Sequence, residues 1–248
     1  KGKVLEVFAN PEFEAKKSEY QVTFRSMESR DFRDMRLAPL PGTEKEARSL
    51  QAQSAALGFK ETIMRLGPEA TETDLNGLHS PNILHLATHG FFLPETEPRL
   101  GGALDERGMG IVGLGSQSSA FSLQPSALLK NPMHRSGLAL AGAQTTLESW
   151  KKGETPPTDN DGIVTAEEVG GLKLNGTWLV VLSACETGTV EAKAGEGVMG
   201  LRRGFIQAGT QNLLMTLWPI ADEETARFMI EFYTAAQKDG NAPEALDN

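Results

Sequence analysis

Two residues of this chain have side chains that could do covalent chemistry together, a thiol and an imidazole. Cys185 is the only cysteine in 248 residues, and His89 is followed directly by Gly90. A thiol with a pKa of about 8.5 is only slightly ionised at neutral pH, so it needs a base to become a nucleophile. An imidazole within reach can take that proton and later return it to a leaving amine. Gly90 lets the backbone approach a substrate closely. Its N–H, with that of Cys185, could form an oxyanion hole. The two residues lie far apart in sequence, which is no obstacle, because only their spatial adjacency counts. Taken alone, a solitary cysteine after an apolar strand is more often a small buried hydrophobe.

The elements that must carry these residues are legible around them. Ile83–Thr88 is an apolar run ending at His89, and Trp178–Leu182 is another ending just before Cys185. Both read as buried strands, and in parallel α/β sheets reactive groups gather beyond the carboxyl ends of neighbouring strands. Upstream, Val4–Phe8 reads as an opening strand and Phe59–Leu66 as a second. Between them, Thr43 and Glu46 have the spacing of a capping box, with Ala47, Leu50 and Leu57 at helical intervals behind it. Thr71 with Asp74 marks another helix start, and Thr165 with Glu168 a further box. Leu213–Trp218 is the last expected strand, with Asp222 opening a helix through Met229 and Tyr233. This β-α alternation predicts an α/β fold with a central, mostly parallel sheet of about six strands and helices on both faces. Residues 94–135, rich in glycine and proline, read as a long loop insertion, and 150–161 as a second polar stretch. The alternation continues across both, so residues 1–248 read as one domain.

Composition narrows the classes. Net charge is −9, from 24 Lys+Arg against 33 Asp+Glu, which is not the footprint of a nucleic-acid binder. No apolar run approaches the roughly 18 residues of a membrane-spanning helix, so no membrane partner is expected. A single cysteine makes no internal disulfide, and a reducing, cytoplasmic compartment is the natural home. No secretory signal opens the chain, and Lys1 in place of Met reads as a piece cut from a longer protein.

Several segments together resemble the CHAT family. They are Ile83–Gly90, Ser136–Ala143, Asp161–Glu168, Val180–Gly188, Gly195–Arg203 and Leu217–Glu223. They run in order over most of the chain. CHAT domains are caspase-like bacterial peptidases related to separase, commonly fused behind tetratricopeptide repeats. The resemblance implies a caspase-like three-layer sandwich with His89 as base and Cys185 as nucleophile. It also implies a protein or peptide substrate, no cofactor, and regulation by a repeat domain or partner protein in defence or cell-death signalling. Base before nucleophile is the caspase order, opposite to that of papain. In separase-like members an acidic residue soon after the last core strand reads a basic P1 side chain. Asp222 is similar in position, and Asp161 is a second S1 candidate.

Other readings stand beside these. A domain that keeps the fold but is catalytically silent, serving as a scaffold, is the alternative from another class. Asp222 could simply begin a helix, and Asp161 could sit in a turn with Gly162. His85 is better suited to a packed or hydrogen-bonded role, while His79 and His134 have none assigned. Gly195-Glu196-Gly197-Val198-Met199-Gly200 spells a dinucleotide fingerprint, yet that mechanism needs the glycines in a turn directly after a strand. About ten residues intervene here, so nucleotide-dependent oxidoreduction is a remote third reading. Four histidines and one cysteine make no metal-ligand pattern.

Overall fold

A computed structural model describes residues 3–14, 36–92, 131–152, 160–183, 185–186, 194–215 and 222–239. Five parallel strands form the central sheet: β1 (Val4–Pro11), β2 (Glu61–Gly67), β3 (Ile83–Ala87), β7 (Leu179–Leu182) and β9 (Asn212–Met215), in the order β2-β1-β3-β7-β9. The chain moves outward from β1 to β2, then crosses back to β3 on the other side. Connections on either side of the β1/β3 boundary therefore diverge, the arrangement in which open α/β sheets commonly bind ligands beyond the carboxyl ends of their strands.

Side-chain alternation assigns the two faces. Leu84 and Leu86 of β3 pack with Val180 and Leu182 of β7 in one core. That core is covered by α2 (Glu72–Asn76), α3 (Pro132–Arg135), α5 (Ala166–Gly170) and α6 (Ala194–Gln207). Ile83 and Ala87 face the other way, with Leu5 and Val7 of β1 and Val181 of β7. There α1 (Pro41–Gln53) contributes Ala47 and Leu50, and α7 (Asp222–Asp239) contributes Met229, Phe232 and Tyr233. Strands buried on both faces read as continuous apolar runs, which is why β3 and β7 were visible in sequence. The result is the expected caspase-like α/β sandwich.

A second, smaller sheet has the order β6-β5-β4-β8, from β4 (His89–Phe92), β5 (Ser136–Ala139), β6 (Ile163–Thr165) and β8 (Cys185–Glu186). Here β5 runs antiparallel to both β4 and β6, whereas β4 and β8 are parallel. Between β5 and β6 lies α4 (Ala143–Lys152).

Two expectations change. Thr43 and Glu46 do not form a capping box. The helix starts earlier, with Leu40 as N-cap and Pro41 in its first turn, where a missing N–H costs nothing. Thr43 Oγ1 instead donates to the Leu40 carbonyl at 2.7 Å and accepts from Asn10 N at 2.9 Å, while Glu46 is fully buried. Thr165 and Glu168 do form their box, at the start of α5. Gly195, Gly197 and Gly200 lie inside α6, so the glycines make no phosphate-binding turn. The expected insertion at 94–135 lies outside the described residues as far as 130, and its last residues, Pro132–Arg135, are a helical turn capped by Asn131.

Candidate active site

The site is built where the two sheets meet. β3 ends at Ala87, the chain bends at Thr88, and β4 resumes at His89. β7 ends at Leu182 and β8 resumes at Cys185. The pairing keeps one register through the bend: Leu86 partners Leu182 in the large sheet, and His89 partners Cys185 in the small one. Adjacent strands lie about 4.8 Å apart, so the backbones of the expected base and nucleophile are immediate neighbours. Gly90 follows, paired with Glu186 on one side and Leu138 on the other. The Thr88 hydroxyl donates to the Ala139 carbonyl and ties the bend to β5.

His89 is almost fully buried, at 4% exposure. Its ring packs against Phe13, with centroids 5.2 Å apart and planes tilted by 34°. Nε2 lies 2.7 Å from the carbonyl oxygen of Ala38. A carbonyl only accepts, so the Nε2 proton must be the donor, and in the neutral ring Nδ1 then carries the basic lone pair. This contact selects the tautomer and fixes the ring plane.

Ala38 is held for that task. The amide of Leu37 donates to Gln144 Oε1 at 3.0 Å, and the amide of Leu40 to Asn10 Oδ1 at 3.3 Å. Asn10 sits at the end of β1 with φ +44°, a conformation asparagine tolerates better than most residues. Its Nδ2 also donates to Glu44 Oε2 at 3.2 Å. The loop before α1 is thus clamped on both sides of the carbonyl that meets His89. Nothing in the sequence marked Ala38, because a backbone carbonyl has no residue type.

His85 does not join this site. Within β3 it points to the face of α1 and α7, its Nδ1 3.2 Å from the Tyr233 hydroxyl and its Nε2 2.7 Å from Glu46 Oε1. It is separated from His89 by the bend at Thr88, where the chain changes sheet. Its packed, hydrogen-bonded role is the one expected. His134 pairs with Glu167 at 2.9 Å on the opposite side.

The two S1 candidates are placed differently. Asp161 lies in the turn before β6, two strands removed from β4. Its Oδ1 accepts from the Ile163 amide at 2.7 Å, and its carbonyl accepts from Thr146 Oγ1 at 2.7 Å. Burial pushes its pKa up to about 7; the Ile163 N–H opposes the rise, and the carboxylates of Glu72 and Glu168 add to it. Asp222 is the first residue of α7, the helix that follows β9 and packs beside α1. Among the described residues no group of histidine, cysteine and carboxylates could hold a metal ion, and no helix is long and apolar enough to cross a membrane.

A five-stranded parallel sheet between two helical layers, with a histidine and a cysteine in register beyond adjacent strands, defines the caspase-like class. The family model described as CHAT domain matches residues 3–248. The chain therefore belongs to the CHAT family, and is a caspase-like, peptidase-related domain. A search of the curated proteins finds no match.

Proposed function

We propose that this domain is a cysteine endopeptidase in which Cys185 attacks the scissile carbonyl and His89 shuttles the proton. The observation that carries the reading is the continuous register bringing His89 beside Cys185, with the imidazole held through Nε2 by Ala38. In the proposed cycle the Cys185 thiol gives its proton to His89 Nδ1, and sulfur bonds to the substrate carbonyl carbon. The amides of Gly90 and Cys185 receive the oxyanion. Collapse breaks the C–N bond, and the imidazolium protonates the leaving amine. Water, deprotonated by the same imidazole, then hydrolyses the thioester. No cofactor enters these steps.

For specificity we carry Asp222 forward as the reader of a basic P1 residue. Asp161 suits this less well, since its carboxylate is engaged in its own turn and only about half ionised near neutral pH. Action in the bacterial cytoplasm, in defence or cell-death signalling under control of a fused repeat module or partner protein, belongs to the same proposal and rests on family membership.

The test is hydrolysis of a P1-varied fluorogenic peptide panel. Turnover should fall at least 10³-fold in both Cys185→Ala and His89→Ala, in line with loss of a nucleophile or its base. The best substrates should carry Arg or Lys at P1, and Asp222→Ala should erase that preference. Equal turnover by wild type and Cys185→Ala would refute the peptidase, and an unchanged P1 preference in Asp222→Ala would refute its reader.

A further inference from the structure

Glu46 and His85 are both 0% exposed, yet neither takes part in the proposed cycle. Burying a carboxylate is costly unless its oxygens are met, and a hydrophobic residue of similar volume often serves stability equally well. Stability alone therefore gives weak reason for an acid at position 46. Each of its oxygens has an assignment. Oε1 lies 2.7 Å from His85 Nε2, a charge contact whenever the ring is protonated, though its angle falls short of a hydrogen bond. Oε2 accepts the Ser183 hydroxyl at 3.0 Å. On the far side of His85 stands the Tyr233 hydroxyl, whose pKa is raised by burial and then by Glu46, so it keeps its proton.

Ser183 occupies the decisive place. Its amide donates to the Leu86 carbonyl at 2.9 Å, making it the last described residue tied to the large sheet before Cys185 starts the small one. The hydroxyl bond to Glu46 thus anchors the residue that follows β7 to α1. The same helix is preceded by the loop that presents Ala38 to His89. One element therefore sets the base through Ala38 and the approach to the nucleophile through Glu46. Glu46 comes from the position that sequence spacing assigned to a helix cap, and the helix begins without it.

We propose that Glu46 is a positioning residue, holding Ser183 so that Cys185 enters β8 in register with His89. This deepens the peptidase reading and rests on it. Reacting groups displaced by about 1 Å can lose on the order of 10²-fold in rate, so the effect should appear in chemistry more than in binding.

The experiment uses Glu46→Gln and Ser183→Ala in the full chain. Glu46→Gln retains volume and an amide oxygen for Ser183, whereas Ser183→Ala removes the bond with little loss of packing. Folding is checked by circular dichroism and thermal melting. Two readouts follow, peptide turnover and the pH profile of iodoacetamide alkylation, which reports Cys185 alone because the chain has no other cysteine. Ser183→Ala should lower kcat by roughly 10- to 100-fold with KM within about threefold. Its alkylation midpoint should move up toward the free-thiol value of about 8.5, and Glu46→Gln should retain more of both properties. A folded Ser183→Ala protein with wild-type kcat and an unshifted alkylation profile overturns the proposal. Should Glu46→Gln fail to fold, Ser183→Ala decides alone. If the wild type cleaves no peptide, the peptidase reading falls, and the alkylation profile still tests the anchor by itself.

Discussion

Replacing Asp161 with Asn should make this protein more stable at neutral and alkaline pH and leave it unchanged in acid. The wild-type carboxyl has a pKa of about 7 in the fold against an ordinary 3.8, with burial as the leading cause. Folding thus binds a proton between roughly pH 4 and pH 7 that the unfolded chain releases. Stability associated with the group is complete below about pH 4 and is lost as pH rises through about 7. A difference of about three pKa units corresponds to about 4 kcal/mol at 1.36 kcal/mol per unit. Because Asp161 is half-buried, solvent screening should trim this to about 2 kcal/mol. Asn keeps an acceptor for the Ile163 amide and has nothing to ionise. The assay is urea unfolding of both proteins at several pH values from 4 to 8.5. The curves should coincide near pH 4 and separate to a plateau above pH 7, where the variant gains about 2 kcal/mol and its urea midpoint rises. A constant offset at all pH values, or a wild-type advantage at pH 8, would refute the reasoning. The same variant should leave P1 preference unchanged.

Two further perturbations probe the frame around the site. Gly204 of α6 lies so close to α5 that an added Cβ would meet the Ala166 carbonyl oxygen at 2.4 Å; Gly204→Ala should therefore lose about 1–3 kcal/mol by overpacking, measured by denaturant unfolding. Asn10→Ala removes two bonds to the start of α1 and forces Ala into the left-handed region, so it should cost at least about 1–2 kcal/mol. Asn10→Gly should recover the conformational part but not the bonds, and both should lower kcat if Ala38 positions His89.

How much could be read beforehand depends on whether a signal is local. β3 and β7 were visible because burial on both faces makes their residues apolar throughout. The Thr165–Glu168 box was visible because a cap is closed within four residues. Thr43 and Glu46 have the same spacing and do something else, because Pro41 had already begun the helix and a core partner was waiting for the carboxylate. The fingerprint at 195–200 failed for a related reason: its glycines sit inside a helix, and spacing alone says nothing of backbone conformation. β6 was passed over because three residues with one partner strand carry too short a pattern.

The sequence by itself determined the reactive residue types, the strands that deliver them, the α/β class and family membership, since each is written in local composition or ordered motifs. Only the tertiary structure decided that the register of β3 and β7 survives a change of sheet and brings His89 beside Cys185. It alone selected Ala38 as the acceptor for the imidazole and sent Glu46 to Ser183 and His85. These are contacts between backbone groups and side chains remote in sequence, fixed when the helical layers close on the sheet. The burial that enforces them belongs to the whole fold and to no single segment.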